Sequence, residues 1–246
     1  MSEPLLDIRH LSKSFGPVQA LSDLSMTVGA GEVVALAGDN GAGKTTLIKA
    51  VSGVYRPSGG EIRLSGRPVA FASPQEARAA GIETIYQDLA LADNLTIGAN
   101  IFLGREPMRR AFGFLPVLDR RRMAEAARAT MALLDFHVSR MDAPVSNFSG
   151  GQRQAVAIGR AVYWDARILI MDEPTAALGV PEQRKVIGLI HQLKAQGRGV
   201  IFISHNLQDI FAVADRIVVL RRGVMAGARR IAETTHDEVV RLMIGG

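Results

Sequence analysis

The stretch "EVVALAGDNGAGKTTLIKAVSG" (32–53) constrains the fold more than any other part of the chain. An apolar strand runs into a glycine-rich loop, and the loop opens a helix with Lys-Thr-Thr. Gly38, Gly41, Gly43, Lys44 and Thr45 fit the pattern G-x-x-x-x-G-K-[ST]. Glycines at those places let backbone N–H groups wrap phosphates, and the helix N-terminus favours negative charge. The lysine reaches the β- and γ-phosphates, and the Thr45 hydroxyl is a ligand for Mg²⁺. The strand before the loop and the helix after it are the context the motif requires. A nucleoside triphosphate is therefore the expected ligand, but many unrelated machines use one.

Strands and helices alternate around this loop. Residues 5–36 read as short strands broken by Gly16-Pro17 and Gly29-Ala30-Gly31, and 61–70 as a further hairpin. "SPQEARAAG" (73–81) is a capped helix, with Ser73 as N-cap and Glu76 three residues on. "IETIY" (82–86) follows as a strand. Residues 93–164 read as mostly helical, with Asp119 as a cap. From 167 the order is "RILIMD" strand, "PEQRKVIGLIHQLKAQG" helix, "GVIFIS" strand, "NLQDIFAVA" helix and "RIVVLRRG" strand. Continuous apolar strands between amphipathic helices predict a parallel sheet covered on both faces, interrupted by a helical insertion.

Composition narrows the function classes. At 48% hydrophobic and 22% charged over 246 residues, the chain can bury a sizeable core. It has no cysteine, which excludes a disulfide framework and a cysteine metal site. No apolar run approaches the ~18–20 residues of a membrane span, and the N-terminus lacks the pattern of a secretory signal. The expectation is a chain that serves a membrane, if at all, through a partner. The net charge of +5 admits three readings: a solvated basic surface, contact with nucleic acid, or contact with anionic lipid headgroups. Scattered arginine pairs and few aromatics favour the first.

Two further elements carry chemistry. "RILIMDEP" (167–174) is an apolar strand ending in Asp172 and Glu173 at the C-terminal end, where α/β sites lie. Asp172 suits the magnesium side, and Glu173 could activate water for attack on the γ-phosphate. "NFSGGQRQAVAIGRAV" places Ser149, Gly150, Gly151 and Gln152 at another helix start, a second anion-binding terminus. One nucleotide per chain does not need two such termini. Two chains arranged head to tail do, each lending Ser149 to the phosphate held by the other's Lys44.

Over essentially its whole length the sequence resembles the ATP-binding cassette ATPases. The motifs stand in that family's order: the loop at 38–45, Gln87 after a strand, the signature at 148–152, "LIMDEP" at 169–174, and His205 after the last core strand. The resemblance implies an α/β P-loop core (1–88 and 165–246) with a parallel sheet and an N-terminal antiparallel β subdomain. A helical subdomain (89–164) would be inserted in it. It further implies an ATP site built from Phe15, Gly38, Asp39, Asn40, Gly41, Ala42, Gly43, Lys44, Thr45 and Thr46, with Phe15 against adenine. Mg²⁺ would be held by Thr45, Gln87 and Asp172. Glu173, His205 and Gln87 would be catalytic, and Ser149, Gly150, Gly151 and Gln152 would act on the partner's ATP. Phe148 stands where the family usually has Leu, and Gly179 where it usually has Asp in a loop crossing the dimer interface.

"SPQEARAAGIETIYQDLALADNLTIGANIFLGRE" (73–106) is similar to the monosaccharide-import branch. That likeness implies an ATPase acting as a homodimer on the cytoplasmic face of a bacterial membrane. Its partners would be an integral-membrane permease and, indirectly, an external sugar-binding protein, with no nucleic acid. The alternatives are a cassette for another substrate, such as an amino acid or lipid, and a non-transport ATPase of the same family.

Overall fold

The computed structural model describes residues 3–112, 114–136, 140–176 and 178–245. In chain order the first elements are β1 (Leu6–Phe15), β2 (Val18–Val28), β3 (Val33–Ala37), α1 (Lys44–Val51), β4 (Gly59–Leu64), β5 (Arg67–Val69), α2 (Pro74–Ala79) and β6 (Ile82–Ile85). The middle of the chain forms α3 (Ile97–Phe102), β7 (Met108–Ala111), β8 (Leu115–Leu118), α4 (Arg120–Leu133) and α5 (Gly150–Tyr163). Then come β9 (Ile168–Asp172), α6 (Val180–Ala195), β10 (Gly199–Ile203), α7 (Leu207–Val213), β11 (Arg216–Arg221), β12 (Val224–Arg230) and α8 (His236–Ile244).

The expected α/β architecture is present. Six strands form one sheet in the order β12–β11–β3–β10–β9–β6, parallel except for β12. Every residue of β3, β6 and β10 is buried. β3 and β10 are unbroken apolar runs, as strands covered on both faces require, while β6 buries Glu83 and Thr84 between two isoleucines. A second, antiparallel sheet runs β2–β1–β4–β5. In β1 the buried residues are Leu6, Ile8 and Leu11. The step from 8 to 11 breaks the period of two because the pairing with β2 shifts register there, and the bulge restores the inward face. Leu6, Ile8 and Leu11 join Leu47, Ile48 and Val51 of α1, and Ile170, Ile201 and Val218 of the large sheet, in one core. Each such side chain contributes about 1.5–3 kcal/mol by leaving water.

The described residues divide into two compact units. One contains 1–87, 166–176 and 190–246, and the other 88–165 and 177–189. In the second unit α3, α4 and α5 pack together. Asn100 there is fully buried. It accepts from the Ala92 N–H at 2.7 Å and donates to the Ala92 carbonyl at 3.1 Å, pinning the chain ahead of α3. The Trp164 ring N–H donates to the Ile101 carbonyl at 2.9 Å, which ties the end of α5 to α3.

One expectation needs correction. The segment 93–164 is not helical throughout, because β7 and β8 form an antiparallel hairpin with Met108 opposite Leu118 and Ala111 opposite Leu115. Pro107 just before β7 and Pro116 within β8 each lack the N–H that a continuing helix would need. Residues 113 and 137–139 of that segment lie outside the described residues.

Candidate active site

The glycine-rich loop joins the buried end of β3 to the start of α1. Gly43 is the N-cap, with φ at 106°, and a Cβ on it would lie 2.9 Å from Leu21 Cδ2. An L side chain is excluded there both by backbone conformation and by the packing of β2. Among the described residues no side chain caps α1. The N–H groups of a helix's first turn have no intrahelical partner, so those of α1 are donors for an outside acceptor. Lys44 Nζ donates to the carbonyls of Gly38 at 2.5 Å and Asp39 at 3.1 Å, which holds the ammonium against the loop.

Three neighbouring strand ends supply the remaining groups. β9 ends at Asp172, β6 ends two residues before Gln87, and β10 ends two residues before His205. Glu173 takes a left-handed backbone, with φ at 51°, a conformation that costs a non-glycine residue roughly 1–2 kcal/mol. Its N–H donates to the Ile203 carbonyl at 2.9 Å, which fixes the turn to β10. The Glu173 carboxylate Oε2 lies 2.9 Å from His205 Nδ1, with the carboxylate largely buried and the imidazole exposed. Burial, reinforced by the adjacent Glu173 carboxylate, pushes the Asp172 carboxyl above its ordinary range, and the Lys44 ammonium pulls it back in part.

These groups line one cavity of about 1050 Å³. Every residue from Gly38 to Thr46 borders it, together with Gln87, Asp172, Glu173 and His205. Phe15 does not. It packs edge-on against Tyr55 at 5.1 Å, with Lys13 Nζ 4.9 Å from its ring centre, while its ladder partner Val18 is on the cavity wall. Arg222 and Gly223, in the turn between β11 and β12, and Met243 of α8 also border the cavity. Sequence reading singled out none of them, since each comes from a segment without a motif. It also passed over a support beneath the catalytic loop: the buried Thr175 hydroxyl donates to Asp209 of α7 at 2.7 Å.

Ser149, Gly150, Gly151 and Gln152 begin α5 in the other unit. The Gln152 N–H donates to Ser149 Oγ at 3.3 Å, and the Ser149 N–H donates to Gln152 Oε1 at 2.9 Å, a reciprocal cap. A Cβ on Gly151 would come within 2.9–3.0 Å of the Glu182 side chain near the start of α6, so the glycine permits close approach.

The family model for the ABC transporter matches residues 21–176. The chain belongs to this family. As an ABC cassette it binds and hydrolyses ATP. It is 48% identical to the xylose/arabinose import ATP-binding protein of Sulfolobus acidocaldarius, over 97% of this chain and 93% of that one. It is 44% identical to the fructose import ATP-binding protein of Rhizobium meliloti, over 99% and 95%. A ribose import ATP-binding protein of Streptomyces coelicolor is 45% identical over 99% of this cassette, which spans only 47% of that relative's length. A nucleotide-free ATP-binding cassette from an ABC transporter shares the fold, with a TM-score of 0.82 over 99% of this chain and 96% of that one at 24% identity.

The cavity's donor set fits a magnesium ion. Mg²⁺ takes oxygen ligands. The Thr45 hydroxyl, the Gln87 amide and the Asp172 carboxylate all border the cavity. The raised proton affinity of Asp172 marks a carboxylate whose charge is under-compensated by its surroundings.

Proposed function

We propose that this cassette energises uptake of a monosaccharide through a separate membrane permease. The observation that carries the reading is its likeness, over nearly its whole length, to relatives named for import of xylose or arabinose, fructose and ribose. The clustering of the phosphate loop, Gln87, Asp172, Glu173 and His205 around one cavity supports an ATP-hydrolysing role for that site.

Within this reading the loop N–H groups and Lys44 hold the triphosphate. Thr45, Gln87 and Asp172 would hold Mg²⁺, which would neutralise charge on the β- and γ-phosphates. Glu173 accepts a proton from the attacking water, and His205 orients Glu173 and the γ-phosphate. Phe15 offers an aromatic face for adenine beside the wall formed by Val18. The chain works as one nucleotide-binding domain, and two copies complete two sites by presenting Ser149 to the γ-phosphate held in the opposite subunit. Among the described residues no helix is long and apolar enough to cross a membrane. A peripheral position on the cytoplasmic face of a permease, with an external sugar-binding protein upstream, completes the assembly.

The test is reconstitution in vesicles with a sugar-import permease and its binding protein from the same organism. ATP hydrolysis should rise several-fold with one of xylose, arabinose, ribose or fructose bound to that protein. Stimulation by an amino acid or a lipid and by no sugar would replace the substrate class. ATP hydrolysis indifferent to any permease would favour a non-transport ATPase.

A further inference from the structure

The hairpin of β7 and β8 carries an unusual surface. Phe112 is 90% exposed and Phe114 79%, and Met108, Leu115 and Leu118 are exposed beside them. Two large aromatic rings in water at one turn leave their burial unrealised. A two-stranded ribbon is also marginal by itself, so it gains from any surface that covers it.

The flanks are basic. Arg109 and Arg110 lie on β7, and Arg120, Arg121 and Arg122 open α4 directly after β8. Residues 107–118 contain no Asp or Glu. The nearest acids are already engaged: Glu106 accepts from the Gly104 N–H at 3.0 Å, Asp119 caps α4 through the Arg122 N–H at 3.0 Å, and Glu125 pairs with Arg121 at 2.8 Å. Among the described residues, Arg109, Arg110, Arg120 and Arg122 have no carboxylate within ion-pair distance.

We propose that this hairpin is a membrane-surface anchor. Phe112 and Phe114 enter the boundary between headgroups and acyl chains of an anionic bilayer, and the arginines on its flanks meet the lipid phosphates. Aromatic rings favour that boundary. Basic side chains are drawn to the negative surface potential of anionic lipid. Stable peripheral attachment takes two signals together, an apolar insertion and a basic patch, and this hairpin holds both. The charge also argues for lipid over a protein groove. An apolar tip ringed by unpaired arginines complements a sheet of phosphates, and the arginines would be left without partners in an apolar pocket. The anchor would add to the attachment through the permease, so it rests on the transport reading only in placing the chain at a membrane.

The experiment is flotation of the full chain with vesicles containing no other protein. Wild type should float with phosphatidylglycerol–phosphatidylcholine vesicles and stay behind with phosphatidylcholine alone, and added salt should release it. Phe112→Ser/Phe114→Ser and Arg109→Glu/Arg110→Glu should each weaken binding at least ~10-fold. Arg184→Glu/Lys185→Glu, on exposed positions of α6, makes the same charge change and should not. ATP hydrolysis in solution should be unchanged in all three variants, which shows that they fold. The proposal is overturned if wild type ignores anionic vesicles, or if the α6 pair weakens binding as much as the hairpin pair. It is equally overturned if binding appears only in vesicles that carry the permease, which would make the hairpin a protein-docking surface. Sugar-stimulated hydrolysis is read separately, so loss of the anchor and loss of the transport reading give different results.

Discussion

His205 Nδ1 stands 2.9 Å from Glu173 Oε2, joining residues that follow two adjacent parallel strands. Glu173 is held twice, its carboxylate by this contact and its backbone by the N–H bond to the Ile203 carbonyl. Glu173→Gln keeps the shape and removes the base. ATP binding should survive and hydrolysis should fall at least ~10²-fold, about 2.7 kcal/mol of barrier. Gel filtration with ATP should then show a trapped dimer. Turnover within a factor of a few of wild type would remove Glu173 from this role.

Composite sites can be tested by mixing. Lys44→Ala chains and Ser149→Arg chains should each be inactive, and an equal mixture should recover activity because each heterodimer holds one intact pair. Ser149→Arg also removes a helix cap, at about 1 kcal/mol, so its melting temperature is measured alongside. A mixture no more active than its parts, with subunit exchange demonstrated, would end the shared-site reading.

Gly179 departs from the family's usual Asp, and its surroundings say what the change does. Its carbonyl accepts from the Gln183 N–H at 2.9 Å, so it stands at the N-cap of α6. Glycine is tolerated there, and Asp would improve the cap by a few tenths of a kcal/mol. The Glu182 carboxylate lies 2.9 Å from where an Asp Cβ would sit, and like charge opposes that gain. Gly179→Asp should therefore leave the melting temperature within a degree or two. Steady-state hydrolysis in the assembled transporter should change by no more than ~10-fold, about 1.4 kcal/mol. An inactive wild type restored by Gly179→Asp would show that the missing carboxylate had switched the site off.

Asp172 holds its proton more tightly in the folded chain than a free carboxyl does, because burial and Glu173 both penalise its charge. The folded state is thus penalised above the ordinary carboxyl range, and the penalty fades as pH falls toward ~4. Asp172→Asn should melt higher than wild type at pH 8 without nucleotide, and the gap should close in acid. The same variant should lose magnesium-dependent hydrolysis. A melting temperature at pH 8 below that of wild type would contradict this balance of charges.

Much of the site was legible because its groups sit next to strongly patterned elements. The loop follows an unbroken apolar strand, and Asp172, Glu173 and His205 stand at or just past the ends of two more, so parallel pairing of those strands brings them to the same C-terminal end of the sheet. Arg222 and Met243 were not legible, because turns and terminal helices reach the cavity through tertiary packing that no local spacing encodes. The Thr175–Asp209 bond spans 34 residues and leaves no periodic trace. The hairpin of β7 and β8 was missed because its two four-residue strands show no alternation of their own and lie between α3 and the Ala-rich helix α4.

The cap at the start of α5 has a consequence for what α5 can receive. Ser149 Oγ spends a lone pair on the Gln152 N–H, and Gln152 Oε1 spends one on the Ser149 N–H. Neither bond uses the hydroxyl proton or the two amide protons of the Gln152 side chain. The helix start thus turns acceptors inward and keeps donors in reserve. Such a surface sorts ligands by hydrogen-bond polarity: a group made only of acceptor oxygens meets three uncommitted protons, whereas an ammonium or another donor-rich group meets only the one lone pair left on each oxygen.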